Sequence, residues 1–462
     1  MPLPNILKTP GLLQKYEWIA KPIEFMEKAV KQYPDIFTTK VRGAKKPIIF
    51  ANHPQVIQEI LTNDRKKFKA PGDINKFLSP FVGDYSVMLL DGESHKRQRQ
   101  LLMPPFHGER MQAYGELICS LTEKVFDRLS LSDEIFTARN VMAEISLSVM
   151  LQAIFGLYEG ERYQQIKHRI IGMLDLFNSP LGLGFLSFPF LQKDLGNWNP
   201  WGYFLRQREQ LDRLLYTEIS ERRASLDNPN RVDILSLLMS ATDTEGNSLT
   251  DKELRSELIT LLIAGYETTA TSMAWALYWI YRTPKVQEKL QQELDNLGEN
   301  SDPISISKLP YLTAVCNESL RLYPTVLATF LRTVQEPCNL LGYDIEPGTS
   351  IWGCIYLLHH REDLYPDSKQ FKPERFLERQ FSPYEFMPFG GGVRRCIGYA
   401  LAEYEMKLVL ATVVSRYELA LAENKPEKTQ RRGVTLAPAG GVKMKMQGIR
   451  VAQKSAIPAV GN

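Results

Sequence analysis

The sequence predicts a mainly α fold with a small β portion, of the α+β type, and three observations predict it. Apolar residues recur at helical spacing over long stretches between about 110 and 290. Strand-like runs are few and short, near 45–52 (KKPIIFAN) and 339–359 (NLLGYDIEPGTSIWGCIYLLH). They do not alternate with helices, so the βαβ repeat of a doubly wound sheet is missing.

The elements follow in chain order. The first segment is broken by Pro2, Pro4, Pro10 and Pro22, which excludes one long helix. KYEWIAKPIEFMEKAVKQYP and QVIQEILTNDRKKF carry helical apolar spacing, and 112–156 reads as two further amphipathic helices. Residues 250–282 read as one long helix, opened by a capping box of Thr250 and Glu253. GYDIEPGTSI reads as a hairpin turning at Pro347 and Gly348. IGYALAEYEMKLVLATVVSRY, after Cys396, reads as a helix. Two stretches, 71–90 and 177–205, are apolar or aromatic yet irregular, which suits the wall and mouth of an apolar cavity better than a solvated loop.

Composition narrows the function. A net charge of +3 in 462 residues gives no case for nucleic-acid binding. The five cysteines (119, 316, 338, 354, 396) are scattered, with no CxxC pair, which argues against a disulfide framework or a four-thiolate metal site and for a reducing compartment. No HExxH occurs, no apolar run is long enough for a transmembrane anchor, and no signal peptide is visible. The expectation is a soluble, cytoplasmic protein, with 177–205 available for peripheral membrane contact.

The chemistry concentrates in MPFGGGVRRCIG, residues 387–398. A thiolate is a strong soft ligand, and glycines let backbone N–H groups approach it. The following helix turns its positive N-terminal end toward the sulfur. One thiolate without a second cysteine cannot saturate zinc, but it can supply the axial bond to haem iron. Phe389, Gly392, Arg394, Cys396 and Gly398 form F-x-x-G-x-R-x-C-x-G. That string resembles the haem-ligand loop of the cytochrome P450 superfamily, the haem-thiolate monooxygenases. Glu318 and Arg321 (E-x-x-R), Pro373–Phe376 (PERF) and Ala264–Thr269 (A-G-x-E-T-T) match further family motifs in order. MPLPNILKTPGLL, PQVIQEILTNDRKKF and SPYEFMPFGGGVRRCIG are similar to cyanobacterial members of the fatty-acid and alkane hydroxylase type.

The resemblance implies a single domain over 1–462, with a triangular helical body, a long central helix over haem, and a β-rich lobe from about 35–70 and 325–360. It implies haem b with Cys396 as the axial thiolate. His95 and Arg99 resemble the family's W-x-x-x-R, with histidine in the tryptophan position; with Arg332 and Arg394 they are expected on the haem propionates. Glu318, Arg321 and Arg375 are expected to form a structural lock. Thr268 and Glu267 are expected to hold water and relay protons, with Ala264 and Gly265 leaving room for dioxygen and substrate. Phe81, Val82, Tyr85, Val87, Ala264, Val326, Leu327, Ala328, Ala437 and Pro438 are the expected pocket. The implied reaction is insertion of one oxygen atom of O2 into a C–H bond of a hydrophobic fatty acid, alkane or terpenoid-like substrate. No reductase segment follows the core, so electrons are expected from a separate ferredoxin or flavodoxin with its reductase, docking on Lys96, Arg97, Arg395 and Lys407. A hydroperoxide isomerase or dehydratase, and a non-catalytic haem-binding protein, are the rival classes.

Overall fold

A computed structural model describes residues 3–41, 47–106, 110–132, 134–178, 192–196, 198–224, 231, 233–298 and 301–450. Helices dominate. The longest, Asp251–Arg282, runs through the middle and touches the helices Ala138–Phe155, Pro200–Ala224, Pro310–Leu322 and Tyr399–Arg416. Its capping box is formed: Thr250 Oγ1 accepts from the Glu253 N–H, and Glu253 Oε2 accepts from the Thr250 N–H at 2.8 Å. Both faces of this helix are buried, so it has no polar stripe, in keeping with a helix at the centre of a large core. Each fully buried Leu or Ile there contributes about 1.5–3 kcal/mol. Trp275 stacks on Tyr323 at 3.8 Å and joins this helix to the segment after Pro310–Leu322.

The β-rich lobe is a five-stranded sheet in the order β1 (Ile36–Thr39), β2 (Ile48–Ala51), β8 (Ser350–Gly353), β5 (Arg332–Val334), β3 (Phe68–Lys69). Side chains alternate across it. Ile48 and Phe50 face the N-terminal helices Gly11–Ala20 and Pro22–Gln32, while Ile49 and Ala51 face helix Pro54–Thr62. The N-terminal segment divides into those two helices at Lys21–Pro22, in keeping with its prolines.

Two strand expectations change. GYDIEPGTSI is not a hairpin: β7 (Tyr343–Ile345) pairs with β6 (Cys338–Leu340), while β8 pairs with β2 and β5. The tight turn is Leu341–Gly342, both at positive φ (51° and 84°), with Asn339 Oδ1 accepting from the Gly342 N–H at 2.9 Å. Pro347–Gly348 instead turns the chain from one sheet into another. The β content also extends past the expected lobe. β9 (Tyr417–Leu421), β12 (Lys443–Ile449) and β4 (Phe136–Thr137) form a second sheet, and β10 (Thr429–Arg432) and β11 (Thr435–Pro438) form a hairpin against the central helix. KMKMQGI alternates exposed and buried residues over its first five positions, a period-two signal of a strand.

Candidate functional site

The cysteine loop is held by its backbone. Gly390 and Gly392 adopt φ of 67° and 66°, the Gly390 N–H donates to Met387 O at 2.9 Å, and the Cys396 N–H donates to Phe389 O at 3.0 Å. Gly392 is required twice, by conformation and by space. A Cβ there would lie 2.0 Å from Asp64 Oδ2. That carboxylate accepts from the Val393 N–H at 2.7 Å and from Arg332 Nη2 at 3.3 Å. Gly392→Ala is therefore expected to destabilise by more than the roughly 1–2 kcal/mol of a left-handed alanine, because Asp64 must also move. Lower haem content per purified chain and an earlier denaturation midpoint are the readouts.

Three residues before helix Tyr399–Arg416, Cys396 stays accessible although Arg394 close by is buried. Val326 is likewise exposed between buried neighbours, and Ala264 is exposed between the partly buried Ile263 and Gly265, as residues lining an internal hollow are. The sulfur is thus reachable yet deep among protein atoms. Burial raises its pKa above the usual thiol value, opposed by the Gly398 N–H, Arg99 and Arg395, all of which favour thiolate.

Basic groups cluster beside it. His95 and Arg99 share one face of helix Gly92–Leu102. Burial, then the positive charges of Arg394 and Arg99, push the His95 pKa down to about 3, so its ring is neutral and keeps one N–H donor. Burial also lowers Arg99 and Arg332, and lowers Arg394 to about 10. Among the described residues Arg99 makes no hydrogen bond or ion pair, and Arg332 Nε is buried without a partner. Asp64 and Asp91 are the acids that pair with this cluster. The donor set fits a group carrying two carboxylates, such as haem with its propionates, above an accessible thiol. Arg394 is mostly engaged within the protein. It donates to Ala70 O (2.8 Å), Val87 O (2.9 Å), Leu90 O (2.6 Å) and Asp91 (3.2 Å), tying the cysteine loop to segment 70–91.

On the central helix the Thr268 hydroxyl donates to Ala264 O at 2.6 Å and the Thr269 hydroxyl to Gly265 O at 2.7 Å. Each hydroxyl therefore has only lone pairs left to offer. Glu267 pairs with Arg139 on the neighbouring helix. The sequence expectation that Gly265 leaves room for substrate is corrected: a Cβ there would sit 2.6 Å from Met150 Cε, so the glycine lets helix Ala138–Phe155 approach closely.

Glu318 is fully buried and accepts from Arg321 (2.7 and 2.8 Å), Arg375 (3.0 Å) and the Lys372 N–H (2.9 Å). Of the expected pocket residues, Tyr85 and Val326 are exposed and Ala328 is partly so. Phe81 and Val82 are buried, with Phe81 against Phe204 at 4.8 Å. Val87 is also buried; Leu327 is enclosed in the cluster under the N-terminal helices, and Ala437 and Pro438 in β11. Residues 179–191 and 197 of the expected mouth at 177–205 lie outside the described residues. The basic docking ring is weaker than expected. Arg97 is neutralised by Asp243 (2.5 Å) and Glu253 (3.0 Å), and Lys96 pairs with Glu93, while Arg395 lies over the Tyr399 ring and Lys407 donates to Ser307 O. Sequence reasoning missed Asp64, Asp91, Arg139 and Glu257. Each is a charged residue whose partner lies far along the chain, so no local pattern marks it.

Comparison with known proteins agrees with this arrangement. The Cytochrome P450 family model matches residues 1–446. The chain is 31% identical over 450 residues to cytochrome P450 135B1 of Mycobacterium tuberculosis, covering 97% of this chain and 92% of that protein. Cytochrome P450 135A1 of the same organism is 30% identical over 445 residues, covering 96% and 94%. The fold is similar to that of a retinoic acid-bound cyanobacterial CYP120A1, with a TM-score of 0.81 and 23% identity, over 96% of this chain and 99% of that one. The chain belongs to the cytochrome P450 family.

Proposed function

We propose that this monooxygenase hydroxylates a long-chain fatty acid or closely related lipid. The observation that carries the reading is the accessible thiol of Cys396 beside an under-neutralised basic cluster, with apolar residues above it. Bound haem supplies the family's chemistry: activation of O2 with two electrons from a separate donor. The chain's own residues supply the rest. Cys396 Sγ would hold the haem iron, and the Gly398 N–H and Arg99 favour its thiolate form. His95, Arg99 and Arg332 hold the haem carboxylates, and Arg394 fixes the loop that carries the sulfur. Thr268 Oγ1 accepts a hydrogen bond from a water, since its own proton is committed to Ala264 O. Glu267, held by Arg139, hands protons toward that water.

Ala264, Val326, Ala328 and Tyr85 offer the substrate mainly apolar contact. The similar fold holding retinoic acid, a long apolar acid, supports a lipid of comparable shape. No described helix is long and apolar enough to cross a membrane.

A panel of saturated fatty acids, alkanes and terpenoids, titrated while following the ferric Soret band, tests the reading. Affinity is expected to rise about three- to fourfold per added methylene until the cavity is full, from roughly 0.8 kcal/mol per buried CH2. Band shifts produced only by polar compounds would exclude a lipid substrate.

A further inference from the structure

Glu257 lies on the central helix two turns before Ala264, on the same face, and its carboxyl is fully buried. Oε1 accepts twice, from the Val87 N–H at 2.6 Å and from Gln98 Nε2 at 3.0 Å. Oε2 has no partner, and neither does the buried carbonyl oxygen of Gln98. Two orphaned acceptors thus belong to the same pair of side chains. Were the Gln98 amide turned over, its oxygen would face the carboxyl instead, and the need for a proton between them would be greater still.

Among the described residues no cation pairs with Glu257: Arg99, next to Gln98, is uncommitted but does not act on this carboxyl. Arg97, next to Gln98, is spent on Asp243 and Glu253; Arg255, two residues back, is spent on Asp212 and Val82 O. Arg394 reaches the Val87 carbonyl but is shared with Ala70, Leu90 and Asp91. His95 is neutral, and the charge on Glu257's own helix that acts on it, Glu253, is negative and favours the protonated form. An unpaired carboxylate buried here would be costly, whereas a neutral acid has one O–H to give.

We propose that Glu257 is a protonated positioning residue, whose Oε2–H donates to Gln98 Oε1 and closes an acid–amide pair between the central helix and helix Gly92–Leu102. One proton then satisfies both orphans. The pair sets the register of the helix carrying His95 and Arg99 against the helix carrying Ala264 and Thr268, and the Val87 N–H adds segment 70–91 to the same point. Burial, opposed by the Gln98 and Val87 donors, raises the Glu257 pKa from 4.5 to about 8, in keeping with this state. The folded value exceeds the unfolded one. The pair's stabilising contribution is therefore complete below about 4.5, declines as pH rises, and is lost by about 8.

The test is infrared difference spectroscopy of the holoprotein. At about pH 6, the wild type is expected to show the carbonyl band of a protonated carboxylic acid that Glu257→Gln lacks, and this band should vanish above about pH 9. The glutamine can form the same pair amide to amide, so it should fold and retain haem, and its melting temperature should lose the wild type's decline between those pH values. Gln98→Leu should keep the acid band but shift it, because the proton loses its acceptor. No difference band between wild type and Glu257→Gln overturns the protonated state. A band unmoved by Gln98→Leu overturns the pairing.

Discussion

Replacing Cys396 by serine is expected to abolish monooxygenase activity and to remove the red-shifted carbon monoxide band of the reduced protein that marks a thiolate ligand. The argument lies in the difference between sulfur and oxygen in this loop. The Gly398 N–H and the charges of Arg99 and Arg395 favour an anion at this position, but burial works against it. A thiol starts within reach of that balance; a serine hydroxyl does not ionise under these conditions. The substitution keeps the loop, since the Gly390 and Cys396 backbone bonds and the Arg394 contacts do not involve the sulfur. The protein should therefore fold and still bind haem through the basic cluster, which separates loss of the ligand from loss of the fold. A serine variant that kept the thiolate band, or a parent that lacked it, would remove Cys396 from the iron.

That residue was legible because its signal is local: three glycines, an arginine and a helix start within a dozen positions. The same holds for the Thr250–Glu253 capping box and for Glu318 with Arg321, where partners lie one helical turn apart. What the sequence withheld is non-local. Asp64 looks like a solvated charge in TNDRKKF, yet it braces the cysteine loop and Arg332 from more than 250 residues away. Arg97 reads as one of a basic run, but its acids come from a distant loop and the central helix. Gly265 lies in a functional motif, which points to the substrate side of its helix. Its space is in fact filled by Met150, a packing contact that no spacing rule reveals. The hairpin at Pro347–Gly348 failed for a related reason. Proline and glycine mark a turn, but not which strands the turn joins, and the positive-φ pair Leu341–Gly342 closes the real hairpin six residues earlier.

Removing the Glu318 carboxylate is expected to be the most destabilising single change outside the cysteine loop, at about 3–5 kcal/mol, a large part of a typical total stability. Glu318 neutralises Arg321 and Arg375 together, with no solvent access to its side chain. Glu318→Ala leaves two buried guanidinium groups with only carbonyl acceptors, His359 O and Gln370 O for Arg321 and Pro366 O for Arg375. Arg375→Ala keeps the Glu318–Arg321 pair, and Arg321→Ala keeps Glu318 with Arg375 and the Lys372 N–H. Each leaves less charge uncompensated, so the order of damage should be Glu318→Ala well beyond either arginine change. The effect reaches the site through one chain of contacts. Arg321 holds the His359 backbone, and His359 Nε2 accepts from the Met387 N–H, where the cysteine loop begins. Glu318→Ala holoprotein should thus lose haem at a lower denaturant concentration than Arg375→Ala, with haem release coinciding with unfolding. Equal midpoints for the two variants would mean that Glu318 binds only one of the arginines in solution, and the shared lock would be wrong.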